Sequence, residues 1–119
     1  MKTFLCGVLM VTMLVGCAVI SPPKYYETEY RTIAEIATVL DLGTCDKETI
    51  DKLVTLSAFL DHYSRHLPNN EQTWESATLF RGQVKDLAGR SSVSETFCKL
   101  KLQVMRETVE VIQQGAGGK

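Results

Sequence analysis

Six side chains in this sequence are of types that do chemistry outside the business of folding: Cys6, Cys17, Cys45, Cys98, His62 and His66. A thiol serves as a nucleophile, a metal ligand, an acylation site or half of a disulfide, and its surroundings decide which. No Cys-x-x-Cys pair, glycine-rich phosphate loop or nucleophile elbow accompanies these residues. His62 and His66 stand four apart in Asp-His-Tyr-Ser-Arg-His, a spacing that offers two imidazoles to one metal ion from one helix face. A site needs a third or fourth ligand. Asp61 points about 100° away from His62 on a helix, and the next donor, Glu71, lies across a turn. The pair therefore reads as two solvated imidazoles near a helix C-terminus, where the dipole favours positive charge. The carboxylate pairs Glu27/Glu29 and Glu107/Glu110 read as solvated faces. The expectation is a non-enzymatic chain with no catalytic residue, no metal and no cofactor.

The first two cysteines belong to a different chemistry. Lys2 supplies a positive start, and Phe4–Val15 is an apolar run of signal-peptide length. It ends in Leu14-Val15-Gly16-Cys17, which resembles a bacterial lipobox. That resemblance implies cleavage after residue 16, loss of Cys6, and lipid attachment at Cys17, whose sulfur receives a diacylglycerol, with palmitate among the acyl chains. Each buried methylene contributes about 0.8 kcal/mol, so several chains on one residue hold the protein to a bilayer. Position +2 is Ala18, not the Asp linked to inner-membrane retention, so the implied destination is the outer membrane, with the domain facing the periplasm. Residues 17–24 then form a lipidated Cys and tether containing Pro22 and Pro23. Extended, the tether reaches only about 25 Å.

What remains is one small domain, residues 25–114, followed by a flexible tail at 115–119. It is large enough for a single core. No later apolar run approaches the length of a membrane span. The net charge of −1 and the absence of like-charge runs argue against nucleic acid as a partner. In an oxidising periplasm the two remaining cysteines, Cys45 and Cys98, are expected to form a disulfide; a metal site would need adjoining ligands that neither has.

Four amphipathic segments must position these residues. The first, Lys24–Leu40, carries Tyr26, Tyr30, Ile33, Ala37 and Leu40 at helical spacing and is stopped by Gly43. The second, Asp46–His66, starts on Thr44 or Asp46 as cap and presents Ile50, Leu53, Val54, Ser57 and Leu60. After the turn Leu67-Pro68-Asn69-Asn70 comes Glu71–Ala88, with Trp74, Ala77, Phe80, Val84 and Leu87 inward and Gly89 as its stop. Gly82 inside it points to close packing or a weak spot. Ser92-Val93-Ser94-Glu95 is a capping-box pattern opening the fourth segment, Val93–Gln113, with Val93, Phe97, Leu100, Val104 and Val111 as its expected core face. The fold class is all-α: a small four-helix up-down bundle with one disulfide. In such a bundle helices two and four start at the same end, which brings Cys45 and Cys98 together.

Two segments carry more apolar residues than one stripe needs. Leu56, Phe59 and Tyr63 on the second, Leu79 on the third, and Leu102, Met105, Val109 and Ile112 on the fourth are candidates for a groove that takes a partner helix. The same surplus also suits a helix that is simply central to the bundle.

Taken together, the lipobox at Leu14–Cys17, the short tether, four helices in about a hundred residues, Cys45 before the second helix and Cys98 early in the fourth resemble the type II secretion pilotins of the PulS/OutS kind. Trp74, near the junction of the second and third helices, matches that pattern less closely. The resemblance implies a partner: the disordered C-terminal segment of a secretin subunit, which folds to a helix on the pilotin. The lipoprotein sorting machinery would then carry the pair to the outer membrane for assembly of the secretion pore. The alternative is another helical periplasmic lipoprotein acting by protein binding, such as an exclusion, immunity or envelope-assembly factor.

Overall fold

The computed structural model describes residues 26–117. The expected signal segment, the acylated Cys17 and the tether lie outside the described residues. Among the described residues there are four helices and no strand: α1 Glu27–Leu42, α2 Lys47–Arg65, α3 Glu71–Ala88 and α4 Glu95–Gly117. Each boundary has a local cause. Glu27 and Glu29 complement the positive end of α1, and Gly43 ends it in the left-handed region (φ 63°), its N–H returning to the Leu40 carbonyl. The Asp46 carboxylate caps α2 by accepting from the Thr49 backbone N–H at 2.7 Å. Asn69, also at positive φ (54°), turns the chain into α3. The Ser94 hydroxyl oxygen accepts from the Phe97 N–H at 3.1 Å, so α4 is capped by Ser94 and opens at Glu95, two residues after the expected start.

The helices form a closed square. α1 packs on α2, α2 on α3, α3 on α4, and α4 returns to α1, while the diagonal pairs do not touch. Hydrogen bonds pin two corners: Arg106 Nε donates to Asp41 at 2.6 Å between α4 and α1, and the Tyr26 hydroxyl donates to the Pro68 carbonyl at 3.2 Å. Ile33 and Ile36 from α1, Leu53 and Leu60 from α2, Phe80 and Val84 from α3, and Met105, Val109 and Ile112 from α4 fill the centre. The disulfide Cys45–Cys98 spans 6.2 Å between Cα atoms and straps the α1–α2 connection to the start of α4. It closes a 53-residue separation.

Four expectations need correction. The core face of α4 is the opposite of the one expected. Cys98, Leu102, Met105, Val109, Ile112 and Ala116 are buried, while Val93, Leu100, Val104 and Val111 are exposed and Phe97 is half-buried. Both rows have helical spacing, but the buried one runs unbroken and the other is interrupted at Glu107 and Thr108. The disulfide also fixes the rotation of α4, since Cys98 must face inward to meet Cys45. Second, residues 115–117 are not a tail: α4 continues through them, because burial of Ala116 in the core offsets the helix cost of its flanking glycines. Third, Glu29 is not solvated. It is 1 % exposed and accepts from the Asn70 side-chain amide, which also donates to the Ser64 carbonyl at 3.1 Å. Val54, assigned inward, faces solvent, and Asp61 and Ser64 take its share of the α2 interior.

Candidate functional site

The two sides of α3 are built differently. Toward α2, the contact is polar and closed. Asp61, 2 % exposed on α2, accepts from the Thr78 hydroxyl at 2.6 Å and from Arg81 Nη1 at 2.9 Å, both on α3. Arg65, one turn along on α2, approaches the same carboxylate at 3.4 Å and lays its guanidinium over the Trp74 ring at 5.0 Å. Burial pushes the Asp61 carboxyl up, but the Thr78 and Arg81 hydrogen bonds and the charges of Arg65 and Arg81 outweigh it. Its pKa is held below the ordinary carboxylate value. Its acceptors are filled by Thr78, Arg81 and Arg65 from within the bundle, so this carboxylate joins two helices.

Toward α4, the contact is open. A cleft of about 480 Å³ separates the outer edges of α3 and α4, lined by Leu79, Gly82, Gln83, Asp86, Lys101 and Val104, with Met105 beneath. Gly82 makes part of this opening: a Cβ built there meets no atom within 4 Å. The glycine therefore marks a notch and not the close packing that was one of its two expected meanings. Leu79 (60 % exposed) stands on the α3 side, and Leu100 (57 %), Val104 and Val111 (58 %) continue along α4. At the disulfide end the row finishes on Phe97, which has the Arg90 guanidinium at 4.7 Å and the Lys101 ammonium at 5.4 Å from its ring centre. Asp86 bonds Arg90 at 3.3 Å and lies 4.0 Å from Lys101.

The expected groove is only partly assembled. Leu79 lines the cleft. Phe59 is exposed and stacks on half-buried Tyr63 at 5.7 Å, with Leu56 half-buried nearby on α2, but these three belong to another face. Leu102, Met105, Val109 and Ile112 are 1–3 % exposed and form the core, so apart from Met105 under the cleft they are not at the surface. Leu100, Val104 and Val111, expected inside, face outward, and Phe97 is half-buried at the end of their row. The position of Cys98 was the available signal, since a bridged cysteine on α4 dictates which row faces in.

His62 and His66 are both exposed, with ring centres 4.7 Å apart in an edge-on arrangement. Among the described residues no group of three or more His, Cys, Asp or Glu side chains is placed to hold a metal ion. Cys17, the expected acylation site, lies outside the described residues. No helix among those described is long and apolar enough to cross a membrane. Neither a protein-family model, nor a curated protein, nor a solved structure matches the chain.

Proposed function

We propose that this protein is a lipid-anchored pilotin, which binds the disordered C-terminal segment of a secretin subunit and accompanies it to the outer membrane. The observation that carries the reading is the row of exposed Leu100, Val104 and Val111 beside the α3–α4 cleft, with half-buried Phe97 at its disulfide end. The residues stand at spacings of three, four and seven, the pattern by which one helix receives another. A monomer gains nothing by leaving three large apolar side chains in water along one line. A segment that folds onto them covers that surface, and burial of its own apolar face offsets the cost of ordering it. Such a function requires a surface and an address, not a reaction. The lipobox-like Leu14–Cys17 and the short tether supply the address: an acylated Cys17 would keep the domain at the periplasmic face of the outer membrane.

Isothermal titration of the folded chain with a secretin C-terminal segment tests the proposal. Saturable binding with a negative heat-capacity change is expected, since apolar surface leaves water. No binding, with the helical fold intact, sinks it. Co-purification of the membrane-extracted protein with a conjugation or toxin component and no secretin would favour the broader class of helical periplasmic lipoproteins.

A further inference from the structure

Charge is unevenly distributed along the α3–α4 cleft, and the distribution gives it a direction. Asp86 lies beside Lys101 and Arg90 covers Phe97, so α3 and α4 run antiparallel and the register between them is fixed. At the disulfide end two cations, Arg90 and Lys101, share one carboxylate, Asp86. About three turns along α3 from Asp86, Glu75 is exposed, and on α4 so is Glu107, which stands in the row's gap between Val104 and Val111. Arg65 and Arg106 are engaged elsewhere: Arg65 approaches Asp61, and Arg106 bonds Asp41 across the α1 corner. From Phe97 to Val111 the row covers about 21 Å at 1.5 Å per residue, the length of a four-turn helix.

We infer that the cleft seats its partner helix in one direction only, antiparallel to α4, with basic residues in the partner's first turn and acidic residues in its last. This rests on the docking reading above and adds its polarity. The partner's dipole agrees with the side chains: its positive N-terminus meets Glu75 and Glu107, and its negative C-terminus meets Arg90 and Lys101. Acidic residues at a helix C-terminus and basic ones at its N-terminus destabilise the isolated helix. A segment so charged is therefore unfolded until the cleft supplies opposite charges, which couples its folding to docking. Reversed, the same segment sets like charges against each other at both ends.

The test uses two designed 16-residue peptides with one shared apolar row, acetylated and amidated. One carries two Lys in its first turn and two Glu in its last, and the other has these charges exchanged. Binding to the detergent-extracted full chain is followed by fluorescence anisotropy at low salt, with empty micelles as the blank. The Lys-first peptide is expected to bind about tenfold more tightly, and the ratio to fall toward one in high salt. It should also fall toward one in the Arg90→Glu/Lys101→Glu variant, checked for unchanged helicity. Equal binding of the two peptides, preference for the Glu-first peptide, or no binding by either overturns the inference. So does self-association of the chain through this row that shuts both peptides out. A secretin segment that fails to bind in calorimetry defeats the function itself, whereas binding blind to direction defeats only this polarity.

Discussion

α3 has two neighbours and treats them oppositely. Against α2 it offers Thr78 and Arg81 to a buried carboxylate, and the contact is sealed by charged hydrogen bonds. Against α4 it offers Gly82 and Leu79, and the contact opens outward into a cleft. The first contact has all its partners within the chain. The second has a floor, a row of apolar side chains and charged ends, which in the proposed function are covered by the partner helix. Besides its buried face, α4 is held by the disulfide at its first turns and by Arg106–Asp41 further along. A bundle with one helix strapped from outside can leave that helix's seam open.

The strap predicts the largest effect. Replacing both bridged cysteines (Cys45→Ala/Cys98→Ala) removes a 53-residue cross-link and is expected to cost about 4 kcal/mol in denaturant unfolding. It should also loosen α4 more than the α2–α3 pair, as seen by hydrogen exchange. Exchange that rises equally in all four helices would remove the distinction between the seams.

Next is the sealed seam. Asp61→Ala leaves Arg81 and Thr78 without their acceptor and should cost about 2 kcal/mol, below the usual figure for a buried pair because Arg81 and Arg65 retain solvent contact. Peptide binding should be unaffected. The pH dependence follows from the sign of the shift: the Asp61 pKa is lower folded than unfolded, so its stabilisation is complete above the unfolded value of about 3.9. It is lost as pH falls through the folded value. Acid unfolding of Asp61→Asn should therefore be less steep below about pH 4 than that of the wild type.

The open seam predicts changes in affinity without changes in stability. Leu100→Glu should leave stability within about 0.5 kcal/mol, since the side chain is already exposed, and weaken a docked helix by tenfold or more. The smallest effect is at Gly82. Gly82→Ala should stabilise α3 by about 0.5–1 kcal/mol, because the added methyl meets nothing and the helix gains propensity.

Helix positions were legible in the sequence because Gly43, Asp46, Pro68 and Gly89 punctuate it, and α3 matches its expected span from Glu71 to Ala88. The disulfide was legible because Cys45 and Cys98 are the pair left once Cys6 and Cys17 are assigned to the expected signal segment. The rotation of α4 was not read correctly: with apolar residues on both faces, periodicity gives two equivalent answers and only a long-range contact chooses between them. Nor were the buried charges. Glu29 and Asp61 owe their burial to Asn70, Thr78 and Arg81, between 17 and 41 residues away, and no local pattern announces a pairing at that distance. The candidate surface inherited the error in α4: the four groove residues offered on that helix are core, and Val93, Leu100, Val104 and Val111, offered as its core, are exposed.

The central claim, that the outward row of α4 beside the α3 cleft receives the secretin segment, is tested most directly by amide hydrogen exchange with and without that segment. The account predicts new protection confined to residues 78–86 and 97–111, absent in Leu100→Glu. Protection appearing instead around Leu56, Phe59 and Tyr63, or no change in exchange at saturating segment, would contradict it.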